Sequence, residues 1–212
     1  MGELNTLGLK YGTDKNNAKG HHAFCDIYES YLKGWKYKNI ALIELGVGGY
    51  HFPDRGGESL RMWYEYFTNA KLIGVDIYPK EGIIKDRTEL WQGSQTDKDL
   101  LHTIIERNAD APLRILIDDA SHHNKLTVES FNVIFPMLKS GDLYFVEDLQ
   151  TSYWETEEFG GSEIPGTPGT SMAFFTDLTH QLNWEFHDYV NEFANQISFI
   201  HFYKELIVIK KK

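Results

Sequence analysis

NIALIELGVGG, from Asn39 to Gly49, is the stretch that decides the fold. Residues 39–45 form a short apolar run interrupted only by Glu44, and Gly46, Gly48 and Gly49 close it. A run apolar on both faces suits a strand buried in a parallel sheet, and glycines at its end suit a tight turn. Outward from it, a loop with Pro53, Gly56 and Gly57 leads into residues 58–70, where Leu60, Trp63, Tyr64 and Phe67 recur at helical spacing. The unit then repeats. Strands are expected at 71–76, 88–92, 114–118 and 142–146, with helices at 97–107 and 125–138 between them. Alternation of this kind specifies an α/β fold, a mostly parallel sheet with helices on both faces. After the fifth strand, residues 151–171 are rich in Gly, Pro, Thr and Glu and read as a long loop. Helical spacing returns at 172–184, and residues 197–203 and 205–209 read as a closing antiparallel hairpin. Tyr28, Tyr31 and Leu32 mark residues 1–38 as a helical N-terminal extension to a single globular unit at 39–212.

Composition narrows the function. In 212 residues, 21 basic side chains face 31 acidic ones, a net charge of −10, which repels phosphate backbones and anionic lipid. Nucleic acid and membrane are therefore not the expected partners. The single cysteine, Cys25, supports neither an internal disulfide nor a cysteine metal site. No stretch approaches the ~18 apolar residues of a membrane span, and the N-terminus lacks a secretory apolar core, so a cytoplasmic location is expected.

Acids at strand ends carry the chemistry. In open α/β sheets ligands bind beyond the carboxyl ends of the strands, and Asp76, Asp118-Asp119 and Glu147-Asp148 all stand there. Glu44 and Asp76 together favour a cofactor that contains adenosine without a diphosphate, because His51 occupies the third glycine position of the dinucleotide fingerprint. S-adenosylmethionine fits that description. Asp118-Asp119-Ala120-Ser121-His122 and Glu147-Asp148 would bring as many as four carboxylates and a histidine together on neighbouring strands. Like charges so close require a proton or a cation between them, and oxygen ligands select a hard ion such as Mg²⁺. His122 could serve there as general base, whereas His123 would point elsewhere. Against these readings stand solvated strand ends, a plain glycine turn and a capping histidine. A catechol-like acceptor, a nicotinamide-dependent oxidoreductase and a non-catalytic binding module remain as alternatives. Calorimetry with S-adenosylhomocysteine and with NAD separates the cofactor classes.

KYGTDK at 10–15, IELGVGGY, GGESLRMW, GVDIY, IDDASHH, VEDLQTSYW and FIHFYKELIVIKK together resemble the metal-dependent sugar O-methyltransferases of macrolide biosynthesis, a group within the class I methyltransferases. The resemblance covers nearly the whole chain and implies a Rossmann-like sheet with an antiparallel last strand. It implies Asp119, Glu147 and Asp148 as Mg²⁺ ligands and His122 as the base. Glu44, Gly46, Gly48, Asp76, Ser94, Gln95 and Asp118 would hold S-adenosylmethionine, with Tyr11 and Thr13 closing over it. The acceptor implied is a sugar hydroxyl on a glycoside, natural product or surface saccharide, and Tyr153, Trp154 and Phe159 could line its wall. The chain departs from the pattern at Ala120, where glycine is expected, and larger members carry a further N-terminal domain. Subunit number stays open, a homo-oligomer included.

Overall fold

The computed structural model describes residues 2–83 and 86–212. The chain divides into two compact units, Met1–Ser94 with Ala111–Leu113, and Gln95–Asp110 with Arg114–Lys212.

In the first unit, β1 (Ala41–Leu45), β2 (Lys71–Asp76) and β3 (Thr88–Gln92) pair in parallel in the order β3-β2-β1. Every residue of β1 is buried, whereas β3 is half-buried, as expected of a flanking strand. Among its described residues this unit has the α-helices α1 (Glu3–Tyr11), α2 (Phe24–Leu32) and α3 (Glu58–Tyr66). Leu4 and Leu7 turn α1 inward, where it packs on α2 and α3. The helix stops at Gly12, whose left-handed conformation lets its N–H reach the Gly8 carbonyl. Tyr28, Trp63, Tyr66 and Phe67 fill the space between, with Tyr28 edge-on to Trp63 and Cys25 buried against Met62.

The second unit holds β4 (Arg114–Asp118), β5 (Leu143–Val146), β6 (Ile197–Phe202) and β7 (Ile207–Lys211), in the order β4-β5-β7-β6. β4 and β5 are parallel, with Asp118 opposite Val146. β7 runs antiparallel to both β5 and β6, so the expected closing hairpin is present. Its helices are α4 (Lys98–Arg107), α5 (Asn124–Ile134) and α6 (Ser171–Asp177). Asp97 caps α4 through a bond from the Leu100 N–H, and Thr170 caps α6 through Ala173. Phe131 lies at the centre of an aromatic core with Phe135, Tyr144, Phe174, Phe175 and Phe193.

Two expected helices are shorter than their periodicity suggests. α5 ends at Ile134 and gives way to a 3-10 turn, Phe135–Met137, because Pro136 lacks the N–H that an α-helix would use. α6 ends at Asp177 and continues as 3-10 turns to Phe186 with a break at Asn183. There the Thr179 hydroxyl bonds back to the Thr176 carbonyl, a local alternative to the helical ladder. The 151–171 stretch begins inside a 3-10 turn, Leu149–Tyr153, and is irregular from there until α6 opens at Ser171. No helix among the described residues is long and apolar enough to cross a membrane.

Candidate active site

The first unit carries the residues expected on the cofactor. Gly46 and Gly48 both have positive φ, 89° and 76°, so the turn after β1 takes a path that side chains resist. Gly56 also has positive φ, and a Cβ there would fall on the Gly48 carbonyl, so the two glycine segments lie back to back. Asp76 is partly exposed at the end of β2. Its carboxylate accepts from the Val47 N–H at 3.0 Å and from the Tyr78 N–H at 2.9 Å, which orients it. Glu44 is fully buried and faces the buried ammonium of Lys15 at 3.7 Å, so a cation of the chain itself stands beside the acid expected to meet a ligand's ammonium. Lys15 lies in the quoted KYGTDK stretch, yet nothing in that spacing points it at Glu44. Thr13 is buried with its hydroxyl accepting from the Lys15 N–H at 3.4 Å, whereas the Tyr11 hydroxyl donates to Glu65 on α3. Ser94 ends the longer segment of this unit.

The second unit assembles the acids. β4 and β5 end side by side, and the Glu147 N–H donates to the Asp118 carbonyl at 3.0 Å as the last rung between them. Past that rung the side chains of Asp119, His122 and Asp148 offer ligand atoms all within 4.8 Å of one another. His122 Nε2 lies 3.4 Å from Asp148 Oδ2 and 3.8 Å from Asp119 Oδ1. Gln150 donates to the other oxygen of Asp148 at 2.8 Å, leaving Oδ2 to face the imidazole. Glu147 is buried and stands outside this close trio. Asp148 is left-handed, φ 55°, past the end of β5, so Glu147 and Asp148 do not share a direction simply by adjacency.

Asp118 and Gln95 form a separate, inner pair. Gln95 donates to Asp118 at 3.4 Å and to the Ser130 hydroxyl at 3.1 Å, and accepts from the Ser121 N–H at 3.1 Å. Burial, with the charge of Asp119 adding to it, pushes the Asp118 carboxyl up to about 7. His123 turns from the trio to cap α5, its Nδ1 accepting from the Lys125 N–H at 3.2 Å.

Asn124, Gln150 and Thr151 have no counterpart in the sequence reading. Asn124 is buried; its amide donates to the carbonyls of Thr151 at 3.3 Å and Phe159 at 2.8 Å, and its oxygen accepts from Ser152 and Ser171. The signal available was an asparagine opening a helix beside a histidine, which is also how ordinary caps look. Trp154 meets Phe159 edge-on at 5.1 Å, and Tyr153 and Trp154 are 40% and 46% exposed.

The set fits a hard divalent cation. Two carboxylates this close supply oxygen donors, the cation would offset the repulsion between them, and the imidazole beside them is left to handle a proton.

No family model matches the chain. It is 35% identical over 185 residues to the 8-demethyl-8-(2-methoxy-alpha-L-rhamnosyl)-tetracenomycin-C 3'-O-methyltransferase of Streptomyces olivaceus, covering 87% of this chain and 46% of that protein. It is 36% identical over 177 residues to the mycinamicin VI 2''-O-methyltransferase of Micromonospora griseorubida, covering 83% of this chain and 43% of that protein. Among solved structures, the MycE methyltransferase of the mycinamycin biosynthetic pathway, in complex with Mg and SAH, matches with a TM-score of 0.90 at 30% identity. That match covers 99% of this chain and 53% of the other. The chain thus spans about half the length of the relatives it matches.

Proposed function

We propose, from the premise that this chain is a homologue of the sugar O-methyltransferases of macrolide and tetracenomycin biosynthesis with the class I methyltransferase fold, that it transfers a methyl group from S-adenosylmethionine to a sugar hydroxyl of a glycoside, with Mg²⁺ as its metal. The single observation that carries this reading is the approach of Asp119, His122 and Asp148 within 4.8 Å at the ends of parallel strands.

Asp119 and Asp148 would hold the cation, and Glu147 would join them from the same strand end. When bound, the cation would polarise an acceptor hydroxyl whose own pKa lies far above neutrality, and S-adenosylmethionine would supply the methyl. His122 takes the hydroxyl proton at Nε2, the ring nitrogen that faces both carboxylates, and the two acids stabilise the imidazolium that results. Gln150 fixes the rotation of Asp148 so that Oδ2 stays on the imidazole side. Gly46, Gly48, Glu44, Asp76 and Ser94 of the first unit would bind the cofactor, with Tyr11 and Thr13 near it. Tyr153 and Trp154 present exposed rings of the kind that stack on sugar faces, and the Phe159 ring braces Trp154. The same proposal keeps residues 1–38 as an extension of a catalytic unit at 39–212, and places the protein in the cytoplasm.

A glycoside panel with radiolabelled S-adenosylmethionine, run with and without EDTA, tests the reading. Wild-type protein is expected to label a glycoside only when the metal is available. His122→Ala should retain cofactor and cation while losing about a hundredfold or more in turnover, the scale of a general base. Asp148→Ala should lose the cation and, with it, turnover. Full turnover in chelated buffer, or wild-type rates from His122→Ala, would overturn these assignments.

A further inference from the structure

We propose that Thr151 is a positioning residue for this centre, its buried hydroxyl tying the backbone of His122 to that of Asp148 so that imidazole and carboxylate stay face to face. The inference rests on the methyltransferase reading above and deepens it.

Both residues that bracket the site are bent the wrong way. His122 has φ 54° and Asp148 has φ 55°, in the left-handed region where a side chain crowds its own backbone. Such conformations persist only where their surroundings impose them, and they collect at functional sites. The sheet cannot impose these two. The ladder between β4 and β5 ends at Asp118 and Val146, and its last rung is the bond from the Glu147 N–H to the Asp118 carbonyl.

Beyond that rung the Thr151 hydroxyl takes over. It lies 2.9 Å from the His122 carbonyl and 2.9 Å from the Asp148 carbonyl, so one proton is shared between the two bent residues. The Asp148 carbonyl also accepts from the Thr151 N–H at 3.1 Å, an ordinary tight-turn bond that any residue could make. The contact that needs a hydroxyl is therefore the one to His122, across 29 positions of chain.

Thr151 is itself held. It is 3% exposed, its carbonyl accepts from Asn124, and Asn124 in turn receives Ser152 and Ser171. A β-branched side chain has few rotamers to lose, which suits a fixed donor. The clamp thus runs from the start of α5, through Asn124 and Thr151, to the two side chains that stand 3.4 Å apart.

The test uses the whole chain with Mn²⁺ as the probe, followed by electron paramagnetic resonance, alongside methyl transfer to a glycoside that wild-type protein accepts. Thr151→Val keeps the shape and removes the hydroxyl. It should lose about tenfold or more in both Mn²⁺ affinity and kcat, the scale of outer-shell partners of a metal site, with circular dichroism and S-adenosylhomocysteine affinity unchanged. Thr151→Ser restores the donor and should recover both to within about threefold. A folded Thr151→Val that binds Mn²⁺ like the wild type overturns the clamp and leaves the methyltransferase reading standing. So does a folded Thr151→Ser that is as impaired as the valine variant. If the valine variant does not fold, the serine variant decides alone, since loss of Mn²⁺ binding in it contradicts the proposal. Wild-type protein that binds no Mn²⁺ removes the centre and the clamp together, a result visible before any substitution is made.

Discussion

Asp118 and Asp119 show how two adjacent acids that look alike in the sequence meet different surroundings in the fold. The Asp118 carboxyl is buried and accepts from Gln95 and from the Tyr144 hydroxyl, each at 3.4 Å. Burial raises it from an ordinary 3.8 to about 7, so between those values the folded chain holds a proton that the unfolded chain releases. Its contribution is therefore complete below about pH 4 and is lost as pH rises toward 7, with a total on the order of 4 kcal/mol. Urea midpoints measured from pH 4 to 7 in chelated buffer should fall more steeply for wild type than for Asp118→Asn, and parallel slopes would contradict the burial argument. Local sequence placed Asp118 and Asp119 at one strand end, and only the family resemblance assigned Asp119 to the metal and Asp118 to the cofactor. Alternation along the strand puts one inward and one at the rim, and only the packing of Gln95 and Tyr144 shows which. Glu44 teaches the same lesson. A lone acid in an apolar run was legible as special, but its buried partner Lys15 was not, because a contact across 29 positions of chain leaves no local trace.

Among the elements, periodicity was a good guide wherever a segment had one face to bury. The strands at Lys71–Asp76, Thr88–Gln92 and Arg114–Asp118 lie where apolar runs and flanking polar residues put them. It was poorer at helix ends, since the Phe135-Pro136-Met137 turn keeps its apolar spacing after the α-helical bonding has stopped. It was silent on α1, whose Leu4 and Leu7 make too short a pattern to stand without α2 and α3 to pack on. α5 carries the most at this scale, because it presents His123 and Asn124 at its start and Phe131 in its middle. Phe131 is fully buried among aromatic rings, so Phe131→Ala should cost about 3–5 kcal/mol by transfer and cavity formation. Chemical denaturation checks this, and a loss below about 1 kcal/mol would mean the cluster collapses to refill the space.

For the molecule as a whole, a ligand that binds only the folded state must raise its stability by mass action. S-adenosylhomocysteine with excess Mg²⁺ at about a hundred times its dissociation constant should add about 2.7 kcal/mol, which a scanning calorimeter reads as a shift of roughly 5–10 °C. EDTA should remove the metal-dependent part of that shift, and an unchanged melting temperature in every arm would count against both ligands. What the sequence determined by itself was the alternation of strand and helix, the antiparallel close and the chemical inventory of acids at strand ends. Those features are local: hydrophobic period, turn residues and side-chain type are all written within a few positions of one another. The tertiary structure decided which acids meet. It put Asp119 and Asp148 on one histidine, left Glu147 outside that trio, sent Asp118 inward, and set Thr151 and Asn124 behind them. Side-chain direction past a strand end depends on how the loop turns. That turn is set by hydrogen bonds spanning distant parts of the chain, which become definite only once the strands have paired.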